Sequence, residues 1–551
     1  MIDIDDNTTI GQALATAAER YEDNVLLVAP ANAARGYDPQ GREIRYGEAF
    51  QEVQRLQALY RAAGYGLGHR VALMLDNRLD HMLHKLALNG LGVCCVPVNP
   101  DYRTRELVYL LEHSRVDLAV VLPERLAQLR QALDVSSHRP PVAALHDFAP
   151  MQAGTGAALP PPARAALAGD PTGDTPASIL YTSGTTGQPK GCVLSHTYEL
   201  ASGRWYARLG GLASMREGRE RLYNPLPLFH VNASILSFFC MLLTGGAQIQ
   251  PDRFQPSRFW REVHGSGATV IHYLGVVVPM LLAQPPAALD RSHGVRFGIG
   301  AGVEPQLHAV FEQRYGLPLI EIWGMTEMVR LLADCHEPRQ VGTRAFGRAQ
   351  PGLDAAVMDE QGAFVPDGTP GELVIRHSAA TPRRHFFTEY LDNRQATEEA
   401  WRGGWFHTGD VVLRAPDGML HFMDRRKNII RRSGENIAAA EVEALLITHP
   451  RVAGAAVLAV PDDVREEEVL ACVVPKDGLP GGEQGEALAR ELFDFCHAQL
   501  AYYKAPGWLY FTREIPTTGT QKIQKHRLFP EGADPRTVAG MHDLRALKKR
   551  G

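Results

Sequence analysis

The chain has 551 residues, and 57 lysines and arginines against 62 aspartates and glutamates give a formal net charge of −5. Hydrophobic residues make up 45% and charged residues 22%, an ordinary globular composition that excludes wholesale disorder. The near-balanced charge gives no electrostatic reason to expect nucleic acid or an anionic membrane as a partner, and the length predicts several structural units.

The N-terminus, Met1-Ile-Asp-Ile-Asp-Asp6, is acidic where a secretion signal is basic and then apolar. The longest apolar stretches, Ala233–Leu243 and Ile271–Ala283, are too short to span a bilayer. Seven cysteines, an odd number with no Cys-x-x-Cys pair, indicate neither a disulfide framework nor a zinc knuckle, and buried thiols are expected. Together these features predict a cytoplasmic enzyme with no membrane span. Oligomeric state is not legible, a homodimer being the commonest default.

Along the first third, strand-like and helix-like segments alternate: strand Arg70–Leu75, a helix through Leu91, strand Val93–Val98, helix Thr104–His113 and strand Leu118–Leu122. Such alternation predicts βαβ units and a mostly parallel sheet. The Pro-, Ala- and Gly-rich stretch Phe148–Pro176 reads as a surface connection. Further strands are expected at Ser178–Tyr181, Thr269–Leu274, Arg296–Ile299 and Leu319–Trp323. From about Gly371 the texture changes to short strands, and Asp417-Gly418 between Val411–Leu413 and Met419–Met423 predicts a hairpin. After Lys427 the order is helix (Ala438–Ile447), two strands (Ala455–Val460 and Val469–Val474), helix (Glu486–Leu500) and strand (Trp508–Phe511), the content of a small α+β domain.

The strongest local signal is Tyr181-Thr-Ser-Gly-Thr-Thr-Gly-Gln-Pro-Lys-Gly191, with three glycines, four hydroxyls and a lysine directly after a predicted strand. Glycines let backbone N–H groups approach a polyanion, and the hydroxyls and lysine add donors and charge. Its spacing does not fit a Walker A loop, and Pro189 stands where that loop would start its helix, so a P-loop ATPase is disfavoured.

This element resembles the signature loop of the adenylate-forming superfamily, which includes acyl-CoA synthetases, adenylation domains of peptide synthetases and beetle luciferases. Five further segments match that family in order. They are Pro227-Leu-Phe-His230; Trp323-Gly-Met-Thr-Glu327, with tryptophan for the usual tyrosine; Thr408-Gly-Asp410; Arg425-Arg-Lys427 running on to Gly434-Glu-Asn-Ile437; and Ile515-Pro-Thr-Thr-Gly-Thr-Gln-Lys522. The resemblance implies an α/β fold. A large N-terminal AMP-binding domain of parallel-sheet βαβ subdomains plus a small barrel-like β subdomain would span 1–426. A mobile α+β C-terminal domain carrying the catalytic lysine would span 427–551.

It also implies roles. Thr182, Ser183, Gly184, Thr185, Thr186, Gly187 and Lys190 would hold the β- and γ-phosphates of ATP. Thr326 would bond a phosphate oxygen, and Glu327 would coordinate Mg²⁺, an ion at home with one carboxylate plus phosphates and water. Adenine would lie between Gly300-Ala301-Gly302 and Trp323, with Gly324 and Met325 beside it. Asp410 would accept from the ribose hydroxyls, with Arg425 next to it. His230 would wall the carboxylate site or serve as a structural histidine. Lys522 would bridge the substrate carboxylate and the α-phosphate, although Gln521 replaces the usual glycine before it. Lys427 would be the hinge that exchanges Lys522 for the loop bearing Gly434 and Glu435. Arg431, Arg432, Lys504 and Lys525 are either contacts for CoA phosphates or ordinary surface charge.

The expected activity is an ATP-, Mg²⁺- and coenzyme A-dependent acyl-CoA ligase acting on a small-molecule carboxylic acid. A free-standing adenylation enzyme loading a carrier protein and a non-catalytic nucleotide sensor are the alternatives. The expected acid pocket, His230, Val231, Asn232, Tyr273, Gly275, Val276, Gly302, Met325 and Leu331, is mainly apolar and has no fixed cation. It predicts an aliphatic, alicyclic or aromatic monocarboxylate, and stretches such as Tyr223–Asn232 resemble carnitine/crotonobetaine-type ligases.

Overall fold

The computed structural model of the chain describes residues 1–148, 159–182, 189–275, 277–303, 305–359, 361–425, 429–516, 525, 528–530 and 533–549. Two large sheets lie at its centre. In the first, strands Cys94–Pro97, Arg70–Met74, Leu118–Val121 and Val142–Ala144 run parallel to Pro176–Thr182, and the edge adds Lys190–Ser195 and Glu389–Tyr390 antiparallel. The alternating apolar segments produce this: the four residues of Cys94–Pro97 and of Leu118–Val121 are all buried, as helix-covered parallel strands must be.

In the second sheet, Leu319–Met325, Phe297–Ala301, Val270–Leu274, Arg221–Tyr223, Ala247–Ile249 and Val25–Ala29 run parallel, with antiparallel strands Met328–Ala333 and Arg42–Arg45 at its ends. Helix Leu79–Gly90 has ten buried residues and no exposed one, its polar stripe of His81, His84, Lys85 and Asn89 included, so it belongs to the interior. Its Lys85 is buried with Glu199, 2.7 Å away, and also donates to Ser178 (2.7 Å) and Asn89 (3.1 Å). A buried ammonium is tolerated only with such partners.

A third, antiparallel sheet joins Asp354–Met358, Gly371–Arg376, Phe406–Arg414 and Leu420–Arg425, the last two forming the hairpin expected around Asp417-Gly418. From Ile429 the chain builds a fourth sheet with its own apolar core, including Val442, Leu446, Val457, Val473 and Leu492. Helices Ala439–Ile447 and Gly482–Gln499 cover it, and the hairpin Ile429–Arg432/Glu435–Ala438, absent from the sequence expectation, forms one edge. Among the described residues no helix is long and apolar enough to cross a membrane, and all seven cysteines are buried.

Burial pushes His81, His84, His196 and His272 down to about 3. The unfolded chain binds protons at these rings near pH 6.5, so it holds more protons than the folded chain between those values, and stability falls as pH is lowered through that window. Calorimetry at pH 5 should register uptake of roughly four protons on unfolding from this set. His84→Gln, which removes a ring bonded to Tyr60, should lower the number by about one.

Candidate active site

A cavity of ≈ 1740 Å³ opens where the carboxyl ends of both large sheets, the third sheet and the C-terminal unit meet. Carboxyl ends of parallel strands are where α/β folds place ligands, because several loops converge there. Thr182, Lys190, His230, Ala301, Gly324, Met325, Thr326, Glu327, Asp410, Gly434 and Glu435 all line it, bringing together segments up to 253 residues apart (435 − 182). Ser183, Gly184, Thr185, Thr186, Gly187, Lys427 and Lys522 lie outside the described residues, as does the side chain of Arg425, whose backbone pairs with Asp410.

The two ends of the phosphate-loop segment, Thr182 and Lys190, are paired across two antiparallel strands. Strand Pro176–Thr182 returns as Lys190–Ser195 with Thr182 opposite Lys190, which fixes where the lysine emerges. Its ammonium lies 4.5 Å above the ring of Tyr390. The Tyr390 hydroxyl in turn donates to Glu327 Oε1 at 2.8 Å. Glu327 is only 7% exposed. Burial raises its carboxyl above the usual range, with the Tyr390 bond and the Lys190 charge opposing. Tyr390 is absent from the sequence reading because no motif contains it; strand pairing with Cys192 delivers it. Thr326 is fixed through its carbonyl, which accepts from the Tyr198 hydroxyl at 2.6 Å.

Strand Phe297–Ala301 delivers Ala301 to the cavity, whereas Gly300 and Gly302, expected beside the adenine, are not among its lining residues; Glu321, on the next strand Leu319–Met325, sets the turn that follows. Glu321 accepts from the N–H of Gly302 (3.1 Å), the N–H of Val303 (3.0 Å) and the Tyr273 hydroxyl (2.8 Å). Tyr273 was expected in the acid pocket, but it is fully buried on the other face of its strand and spends its hydroxyl on Glu321. Of the other expected pocket residues, Val231, Asn232 and Leu331 line the cavity and Val276 lies outside the described residues.

Trp323 alternates with Ile322 and Gly324 on its strand, and those neighbours line the cavity. The indole is 5% exposed, packs against Phe346 and donates Nε1–H to Asp410 Oδ2 at 2.9 Å. A tyrosine at 323 has no ring N–H to offer, so this departure from the family pattern buys Asp410 an added donor.

His230 precedes a π-helical turn, Asn232–Ser237, whose geometry is common at functional sites. Asn232 accepts from Asn224 (2.9 Å) and faces His272 Nδ1 (3.3 Å), whose Nε2 meets the Tyr206 hydroxyl (2.8 Å). On the other side, His230 Nε2 stands 3.4 Å from Glu435 Oε2, an ion-pair distance too long for a good hydrogen bond. Burial pushes the Glu435 carboxyl up, but His230, Lys504 and Tyr503 outweigh it and hold the group below its usual range. Arg432 and Lys504 are no surface charges: they are 2% and 5% exposed, paired with Glu468 (2.7 Å) and with Glu106 and Glu441. Lys525 pairs with Glu443 at 2.7 Å.

The chain belongs to the AMP-binding enzyme family, whose signature matches residues 14–383, and the signature of the AMP-binding enzyme C-terminal domain matches 441–522. It is an AMP-forming acid–thiol ligase that uses ATP and CoA and proceeds through an acyl-adenylate. It is 30% identical to a sulfoacetate–CoA ligase of Cupriavidus necator over 94% of this chain and 97% of that one. A crotonobetaine/carnitine–CoA ligase of Escherichia coli O157:H7 is 29% identical over 88% and 92%. The fold matches o-succinylbenzoate CoA synthetase of Bacillus subtilis at 22% identity over 95% and 98% of the chains. The TM-score is 0.79 for a double mutant holding a CoA product analogue and 0.65 for the complex with the acyl-adenylate.

A hydrogen bond to a charged group contributes about 1.5–3 kcal/mol. Tyr390→Phe should therefore lower kcat/KM for ATP about tenfold or more, measured by titrating ATP.

Proposed function

We propose that the first half-reaction takes place where Lys190, Thr326, Glu327 and Asp410 converge on one cavity, and that this convergence carries the reading. The acid's carboxylate oxygen attacks the α-phosphorus of ATP and pyrophosphate leaves. An anion must approach a polyanion, so the site's task is placement and charge neutralisation. Lys190 and the hydroxyls of Thr182, Ser183, Thr185 and Thr186 hold the outer phosphates. Glu327 would hold Mg²⁺, an ion at home with one carboxylate plus phosphates and water, and the ion would neutralise phosphate charge. Asp410, oriented by Trp323, takes the ribose hydroxyls. Lys522, on the C-terminal unit, bridges the two reacting groups.

In the second half-reaction the CoA sulfur attacks the acyl carbon and AMP leaves. We assign the structure to this stage, with 427–551 as the moving domain and Lys427 as its hinge. Hairpin Ile429–Ala438 already faces the cavity with Glu435 against His230, and the higher TM-score to the CoA-bound form of the related synthetase supports the assignment.

For the acid, Val231, Leu236, Ile322 and Leu331 both line the cavity and join the buried cluster behind it. Asn232 has its amide committed, and His272, pushed down to about 3, is uncharged near neutral pH. These features favour an apolar monocarboxylate; sulfoacetate, the acid in the related ligase's name, is the contrasting candidate. AMP release should be measured with ATP, Mg²⁺ and octanoate, benzoate, crotonate, carnitine and sulfoacetate, each with and without CoA. CoA-dependent AMP with the apolar acids is expected. Turnover of sulfoacetate alone would overturn the apolar pocket, and pyrophosphate exchange indifferent to CoA would point to a carrier-protein acceptor.

Lys522→Ala should reduce pyrophosphate exchange by roughly 100-fold or more while leaving transfer from preformed acyl-AMP within about threefold. Lys427→Pro should do the reverse. Equal loss of both half-reactions in either variant would refute the corresponding role.

A further inference from the structure

We propose that Lys504, with Glu106 and Glu441, is a positioning latch that holds the C-terminal unit in place for acyl transfer. Lys504 Nζ lies 2.7 Å from Glu106 Oε1 and 3.0 Å from Glu441. The ring of Tyr102 lies 5.3 Å from the ammonium. Glu441 is on helix Ala439–Ile447 of the same unit as Lys504, but Glu106 belongs to helix Thr104–Ser114 of the first sheet's cover. The Lys504–Glu106 pair therefore crosses the seam. Glu106 is oriented for it, since its second oxygen accepts from the N–H of Arg103 at 3.0 Å.

Burial works against the ammonium, and the two carboxylates more than offset it. Their attraction needs the seam to stay closed and dry, because water entering it screens the pair. The neighbouring residue transmits the closure to the site. Tyr503 accepts from Asn99 Nδ2 across the same seam at 2.9 Å and bonds Glu435, the carboxylate facing His230. Within the C-terminal unit, Lys548 braces this turn by donating to the Tyr503 carbonyl at 3.1 Å and pairing with Glu468, which also holds Arg432 of the cavity-facing hairpin. The inference rests on the proposal that the C-terminal unit moves between half-reactions, since a contact that never opens cannot act as a latch.

Glu106→Gln keeps the shape of the side chain and removes its charge; Lys504→Met removes the cation. With all native cysteines buried, cysteines at exposed Val135 and Leu479 can carry spin labels on the two bodies. Without ligands, the unsubstituted latch should give one dominant interlabel distance, and both variants should broaden or shift it. An unchanged distribution in both overturns the latch. With whichever of octanoate, benzoate or crotonate supports turnover, pyrophosphate exchange should stay within about twofold while single-turnover transfer to CoA slows at least tenfold. Parallel loss of both half-reactions, or loss of neither, also overturns it. Failure of all three acids with the unsubstituted enzyme would count against the apolar-acid reading, while the distance measurement still judges the latch.

Discussion

The organisation of the site depends on a buried carboxylate at the junction of the two large sheets. Glu327 ends the motif that leaves the second sheet. Its side chain takes the hydroxyl of Tyr390 from the edge of the first, and its carbonyl accepts the N–H of Phe387 at 3.0 Å. The adjoining Met328 bridges to Phe386. The cavity lining and the sheet-to-sheet tie thus share one residue. A carboxyl held this far from water has a raised proton affinity, so a cation in the cavity lowers the energy of the ionised form more than it would at a surface.

The α/β units were legible because their strands are short, uniformly apolar and separated by helical stretches. Arg70–Met74, Leu118–Val121 and Trp508–Phe511 lie within a residue of their expected bounds. The first sheet's antiparallel return at Lys190–Ser195 and the hairpin from Ile429 were not: the first begins inside the segment read as a phosphate loop, and the second carries Arg431, Arg432 and Glu435 where an apolar strand pattern would be looked for. The same division holds in the site. Residues inside contiguous motifs, such as Thr326, Glu327 and Asp410, announce themselves. Tyr390, Glu321, Tyr198 and Glu106 act through bonds to residues 63 to 398 positions away or to another strand's backbone, and nothing local marks them. Tyr273 was misplaced by one step of strand alternation, which sends a side chain to the opposite face.

Charge burial recurs around the cavity with a consistent remedy. Glu321 is surrounded by two backbone N–H groups and a phenol, Glu435 by His230, Lys504 and Tyr503, and Glu468 by Arg432 and Lys548. Each carboxylate fixes a loop or hairpin that ordinary packing would leave free to wander, and each does so with donors from different parts of the chain. Partly satisfied, such groups would be costly; fully satisfied, they specify one arrangement.

The π-helical turn Asn232–Ser237 carries a consequence for how this pocket changes over evolutionary time. Such a turn holds one residue more than an α-helical turn and sits as a bulge in an otherwise regular helix. Loss of one residue would let the backbone relax into the helix Phe238–Thr244 that follows, rotating the residues of the turn itself and those immediately before it by about 100°. Asn232 and Val231 would leave the cavity wall, while the sheets, the cavity-lining carboxylates Glu327 and Asp410 and the seam stayed as they are. A single codon deleted or restored thus recasts one wall of the cavity and leaves the others in place.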